Sequence, residues 1–321
     1  SMTDPTGTTS YASDELDRLT SVTSPGSVVV GYRYDLDANR RKVVYPDSTA
    51  VTYAFDKADR LISLQDWASR TTSYGDFPDS NVQTTVNVNG TTATMTEDNA
   101  QRLTQVWNKT SGGATISQHT STLDSVGNRT QLQETLAQVG GGSTSYTLPY
   151  TLDRLYRLTS AGQPTGTPNT YTYDPVGNRL TVTNRPAMTY DKADRVTTFL
   201  YQSDPNGNLT TTPSGRFAYD QANRLTSGGG AGANDTYTLD GDGKRTQTVA
   251  NAGVRTTITY VYDVARSLPV VLQQSEQGFS GTTTHKYVWG VGLAYSVDQT
   301  GAIAVDHTDG LGSVRALTDS T

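Results

Sequence analysis

Aspartate and arginine recur in this chain at a nearly fixed offset, and that offset limits the chemistry they could do. In one form an apolar or aromatic residue precedes Asp, and Arg follows four residues later, usually leading into Leu-Thr. Phe55-Asp56 with Arg60, Asp98 with Arg102, Asp153 with Arg157, Tyr190-Asp191 with Arg195, Tyr219-Asp220 with Arg224, and Asp14 with Arg18 all have it. A second form reads one residue longer: Tyr34-Asp35 with Arg40, Asp124 with Gly127-Asn128-Arg129, Tyr173-Asp174 with Gly177-Asn178-Arg179, and Asp240 with Arg245. Asp204-Pro205-Asn206-Gly207-Asn208 fits this form with Leu209 in the arginine place. A carboxylate can serve as acid, base or nucleophile, but no active site is repeated eleven times along one chain. The pairs are therefore read as structural, an aspartate and an arginine meeting across a turn. Arginine outnumbers lysine 19 to 6, which suits sites wanting a planar, two-pronged donor.

The elements that would position such pairs are hairpins. In Thr170–Thr183, Tyr171 and Tyr173 project to one face and Thr170 and Thr172 to the other, and Leu180 and Val182 alternate with Thr181 and Thr183 on the return. Between them Asp174 opens a turn through its side chain, Pro175 fixes φ, and Gly177 and Asn178 tolerate positive φ. The eleven aspartates span Asp14 to Asp240 in ten intervals of about 23 residues. The 42-residue gap from Asp56 to Asp98 is twice 21, so a degenerate copy is expected around Tyr74 to Asp79. One hairpin is marginal alone and must stack on its neighbours, giving a quasi-one-dimensional meander.

Composition agrees. Of 321 residues 54 are Thr, 19 Tyr and 30 Gly, a mixture that favours pleated surfaces punctuated by turns. No apolar run approaches the length of a membrane-spanning helix. Without cysteine there is no disulfide framework or thiolate metal site. A net charge of −6 without a basic block argues against nucleic-acid binding.

Tyr-Asp with Gly-Asn-Arg, alternating with Tyr-Asp…Arg-Leu-Thr, resembles the YD repeats of the Rhs family, which includes the teneurins and the C components of bacterial Tc toxins. The end of the chain adds to the match. Tyr287-Val288-Trp289-Gly290 followed by His307, Asp309, Leu311, Gly312 and Arg315 in Asp306–Asp319 is similar to the segment that closes a bacterial Rhs core. Trp289 stands where Tyr is usual, and Gly310 where His is common. The resemblance covers roughly residues 10 to 320. It implies an all-β fold, with tandem hairpins forming a long antiparallel, curved or spiralling sheet, part or all of an Rhs-type shell. Complete shells are built from chains two or more times longer, so a fragment, a short member or an open strip is expected. The expected division is residues 1–9 as an expression scar (Ser1-Met2) and unstructured lead-in, 10–285 as the repeat strip, and 286–321 as the closing segment. The family's self-cleavage segment and toxin domain would lie beyond residue 321. Asp174-Pro175-Val176-Gly177 and Asp204-Pro205-Asn206-Gly207 continue with Asn and take no protease role.

Other candidate sites are weaker. Asp306, His307 and Asp309 have metal-ligand chemistry, but hydrogen bonding within the closing strands is the favoured reading. No Gly-x-Ser-x-Gly elbow exists to nucleate a Ser/His/Asp triad. The glycine runs 140–142 and 228–230 lack a Walker lysine and read as loops. Trp67, Trp107, Trp289 and the tyrosines could stack on sugar rings, though sheet-face packing is their commoner fate. Asn-x-Thr sequons at Asn89, Asn108, Asn128, Asn208 and Asn234 are mute in a bacterial protein. The expected function is thus a non-enzymatic scaffold without cofactor or metal, secreted or on a bacterial surface, enclosing or presenting a polypeptide cargo such as a C-terminal toxin. The alternative is a carbohydrate- or protein-binding surface module with a glycan partner. Exposed sheet edges would also permit self-association.

Overall fold

The structure is a computed structural model that describes residues 1–230, 234–251 and 253–320. Residues 231–233 and 252, inside the expected repeat strip, and Thr321, at the end of the expected closing segment, lie outside the described residues. Among the described residues there are strands and turns and no helix. Met2–Asp4 through Arg179–Val182 belong to a seventeen-stranded sheet, and Gln202–Ser203 through Val314–Thr318 to a twelve-stranded one. Where the register is defined, each strand pairs antiparallel with the next in sequence, as in Asn169–Tyr173 with Arg179–Val182 and Thr115–Leu123 with Arg129–Ala137. Residues 1–9 are not an unstructured lead-in: Met2–Asp4 pairs with Gly7–Ser13.

A five-residue turn begins at each repeat aspartate. The N–H of each repeat aspartate donates to the carbonyl four residues on, and the residue three on donates back to the aspartate carbonyl, as in Asp14/Arg18 and Asp174/Asn178. The position three after Asp takes positive φ in every copy, from 59° at Asp59 to 106° at Gly177. Asn178, also expected to allow positive φ, does not adopt it. The ladder shifts by one residue just before the aspartate, between Thr172 and Tyr173 for example, so each turn closes on a β-bulge.

The chain forms two compact units, Ser1–Tyr74 with Asp204–Val305 and Ser320, and Gly75–Ser203 with Asp306–Asp319. In the first unit, alternate residues on one face of the early strands are buried (Val43, Tyr45, Val51, Tyr53), together with Leu272, Val288, Tyr295 and Val305. Tyr45 Oη donates to the Tyr287 carbonyl at 2.7 Å, and Tyr53 Oη to that of Trp289 at 3.0 Å, so these two buried hydroxyls are satisfied. The second unit buries Val106, Ile116, Leu132 and Leu148 beside polar side chains: Asn108, Ser117, His119, Glu134 and His307.

Candidate functional site

The repeated turn is built around its carboxylate. Oδ1 of Asp56, Asp98, Asp153, Asp191 and Asp220 accepts the main-chain N–H groups two and four residues on. Oδ2 takes Nε of Arg60, Arg102, Arg157, Arg195 and Arg224, all at 2.7–2.8 Å. These bonds hold the carboxyls of Asp56, Asp98 and Asp191 below the usual range, the arginine bond contributing most. In Asp153 and Asp220 the amide of the arginine contributes most.

The second form differs from expectation. Its turn is no longer than the first, and the residue four after Asp still closes it. In Asp124 and Asp174 that residue is Asn128 or Asn178, whose Nδ2 reaches Oδ2 at 2.9 Å; in Asp240 it is Lys244 at 3.0 Å. In Asp35 the amide of Asn39 bonds Oδ1 at 2.8 Å. The arginine five residues on falls on the opposite face, because side chains alternate along a strand. So Arg129 lies over the Tyr150 ring at 5.0 Å and Arg245 over Tyr237 at 3.8 Å, Arg179 is exposed, and Arg40 reaches buried Asp263 at 2.7 Å.

Successive turns are also clasped to each other. Beyond its own aspartate, the arginine extends Nη1 to the aspartate carbonyl of the next turn: Arg18 to Asp35 at 2.8 Å, Arg102 to Asp124 at 3.1 Å, Arg157 to Asp174 at 3.0 Å and Arg224 to Asp240 at 3.1 Å. The tyrosine before the next aspartate answers. Tyr34 Oη donates to Leu19 O at 3.0 Å, Tyr173 to Leu158 O at 2.7 Å, Tyr190 to Arg179 O at 2.8 Å and Tyr219 to Leu209 O at 3.1 Å. The guanidinium also sits over that ring, at 5.1 Å for Arg18 and Tyr34 and 4.8 Å for Arg157 and Tyr173. The rigid guanidinium fork presents Nε to one turn and Nη1 to the next from a single planar group.

Turns of the same closure also occur outside the motif, at Tyr45–Thr49, Asn87–Thr91, Thr110–Ala114, Gln138–Gly142 and Asp298–Ala302. Phe77–Asn81 closes the long gap, 21 residues after Asp56 and 21 before Asp98, with no carboxylate at its head. Asp66 is a complete copy, with Arg70 Nε at 2.7 Å, hidden because Thr-Thr instead of Leu-Thr follows the arginine. Tyr262-Asp263 has the residue pair without that turn: its arginine, Arg266, comes three residues on, 3.4 Å from the carboxylate, and Tyr262 Oη bonds Arg245 O at 2.7 Å.

Asp306–Asp319, within the expected closing segment, belongs to the second unit. Arg315 donates to the buried carboxylate Oε1 of Glu134, and His119 Nδ1 lies 3.4 Å from the same oxygen. His307 Nε2 meets Thr318 Oγ1 at 2.8 Å, and Asp309 Oδ1 accepts the amides of Leu311 and Ser313 in a turn that puts Gly312 at φ 80°. Asn89 Nδ2 reaches Thr318 Oγ1 at 2.8 Å, and buried Asn108 reaches the Thr308 carbonyl at 3.1 Å. A cavity of about 270 Å³ lies between His119, Leu103, Leu132 and Asp309–Leu311. Among the described residues, no three His, Asp or Glu side chains converge as a metal-binding set. The tryptophans are engaged internally. Trp107 Nε1 bonds Thr115 at 3.0 Å, Trp289 Nε1 bonds Val271 O at 2.7 Å, and Trp67 stacks edge-on with Tyr45.

This tyrosine–aspartate clasp, repeated along a meander, defines a YD-repeat protein of the Rhs type. The family model described as the teneurin YD-shell matches residues 73–321, and the chain belongs to that family. No curated protein matches it by sequence. Among solved structures it is similar to the crystal structure of TcdB2-TccC3-Cdc42, with a TM-score of 0.76 and 15% identity over 99% of this chain and 19% of that one. It is also similar to the Photorhabdus luminescens Tc holotoxin pore carrying a TccC3 mutation, with a TM-score of 0.74 and 16% identity over 91% of this chain and 17% of that one. The chain thus spans about a fifth of the length of these structures, which it resembles in fold.

Proposed function

We propose that this chain is a segment of a YD-repeat shell that encloses or presents a polypeptide, acting as a scaffold without chemistry of its own, in a secreted or surface-exposed bacterial protein. One observation carries the reading. The carboxylates that recur along the chain are engaged by their own turns and its arginines by neighbouring turns, so the charged residues hold the strip together. Membership of the YD-shell family supports the same view. Among the described residues no helix is long and apolar enough to cross a membrane. The internal engagement of Trp67, Trp107 and Trp289 gives no support to a sugar-stacking platform. The expected division into repeat strip and closing segment remains part of this proposal, with residues 10–285 as wall and residues 286–321 as its end.

The test is limited proteolysis of the gene product from its source, read by peptide mapping. Polypeptide other than residues 1–321 should survive while the strip is folded and be degraded once the strip is unfolded by denaturant. Its digestion at the rate of a free peptide, or the absence of any such polypeptide, would reject the cargo reading.

A further inference from the structure

Two of the three histidines sit in the second unit in buried surroundings that disfavour the charged ring. His119 is 3% exposed and neither ring nitrogen has a hydrogen-bond partner; His307 is 1% exposed and its Nδ1 has none. Among the described residues Glu134, on the strand paired with that of His119, is the one carboxylate in reach of the His119 ring, and its Oε1 is already held by Arg315 of the closing segment. A proton on His119 would therefore compete with Arg315 for a single oxygen and set two cations side by side. The other charged groups facing His119 are Asp309 of the closing segment, which favours the protonated ring, and Arg129, which opposes it.

We propose that residues 306–319 form an acid-released latch, held on the Thr115–Leu123 and Arg129–Ala137 strands by Arg315 and Glu134 at neutral pH and let go when His119 and His307 take up protons. Opening uncovers His119, because Asp309–Leu311 wall the same cavity. It also frees His307, which lies within the segment. The sign follows from burial, which pushes both histidines below their ordinary range in the closed form. In the open form they titrate near the usual histidine value. The closed form is thus at full stability above that value and weakens as pH falls from it toward the depressed one. Asp306, beside His307, has its carboxyl raised by burial, so its proton uptake favours the closed form and opposes the histidines; the effect is read between pH 7.5 and 5.5. The latch is independent of whether the strip carries a cargo.

Hydrogen exchange by mass spectrometry, corrected for intrinsic rates, tests this on the whole chain. From pH 7.5 to 5.5, opening of residues 306–319 should rise about ten-fold for each histidine released. The histidine-free hairpin of Asn169–Tyr173 and Arg179–Val182 in the same unit should stay unchanged. The double variant His119→Gln/His307→Gln should flatten the response. A pH-independent wild type, an equal change in the hairpin, or a response kept by the double variant would overturn the proposal. Should that variant not fold, NMR titration of the wild-type rings decides. Midpoints below the ordinary histidine value, coinciding with the rise in exchange, support the latch, and midpoints at or above it overturn it.

Discussion

The arginine of the repeat does two jobs with one group, and that explains its preference over lysine. Nε serves the aspartate of its own turn and Nη1 the carbonyl of the next, so Arg157→Lys keeps the charge and loses the clasp to Asp174. A partly exposed charge-assisted bond of this kind contributes about 1 kcal/mol. Arg157→Lys should lower the free energy of unfolding in urea by that amount. Arg179→Lys should be near neutral, because Arg179 does not pair with Asp174. Equal losses at the two positions would reject the assignment of roles. Tyr173→Phe removes the reciprocal bond to Leu158, and its loss should couple with that of Arg157→Lys in a double-mutant cycle.

At the level of the hairpin, the turn matters more than the motif. Its third residue after Asp is left-handed whichever side chain occupies it: Gly in Gly127 and Gly177, but Ala38, Gln101, Tyr156 and Asn223 elsewhere. A side chain at φ near 60° carries a cost of about 1 kcal/mol. Tyr156 is 63% exposed and gives up little burial if replaced, so Tyr156→Gly should stabilise by about 0.5 kcal/mol after the gain in unfolded-state entropy. Gly177→Ala meets open space but not an easy φ, and should cost about 1 kcal/mol. Thermal melts of the two variants should move in opposite directions; a shift of the same sign would count against the turn geometry. Two equal turns and two strands make the 21-residue step, which is why a turn at Phe77–Asn81 survives without its aspartate.

At the level of the molecule, the same turn is repeated many times, and so is its response to pH. The turn carboxylates are held low, by arginine in Asp56, Asp98 and Asp191 and by Asn128 and Asn208 in Asp124 and Asp204. A carboxyl lowered on folding stabilises the fold above its ordinary value and ceases to do so as pH falls through the lowered one. Circular-dichroism melts should therefore show little loss of thermal stability down to about pH 4 and a steep fall below it. A melting temperature unchanged at pH 2.5 would reject the turn carboxylates as a source of stability.

The sequence by itself determined the hairpin, its turn and its repetition, because these depend on residues within about twenty positions of each other. Alternation assigns the faces, Asp opens the turn, and period reveals the copies. It also carried the family, through the same local signatures. Tertiary structure decided what each group does beyond its own hairpin. The spacing did not reveal that Arg40 leaves Asp35 for Asp263, 223 residues away, or that Arg18 and Arg157 bond the next turn as well as their own. Nor did it foretell that Arg315 finds Glu134 beside His119. One residue of offset sends a side chain to the opposite face of a strand, and what waits on that face is set by how distant strands pack. Buried charges must be matched there by whichever partner the packing supplies, and no local signature encodes that partner.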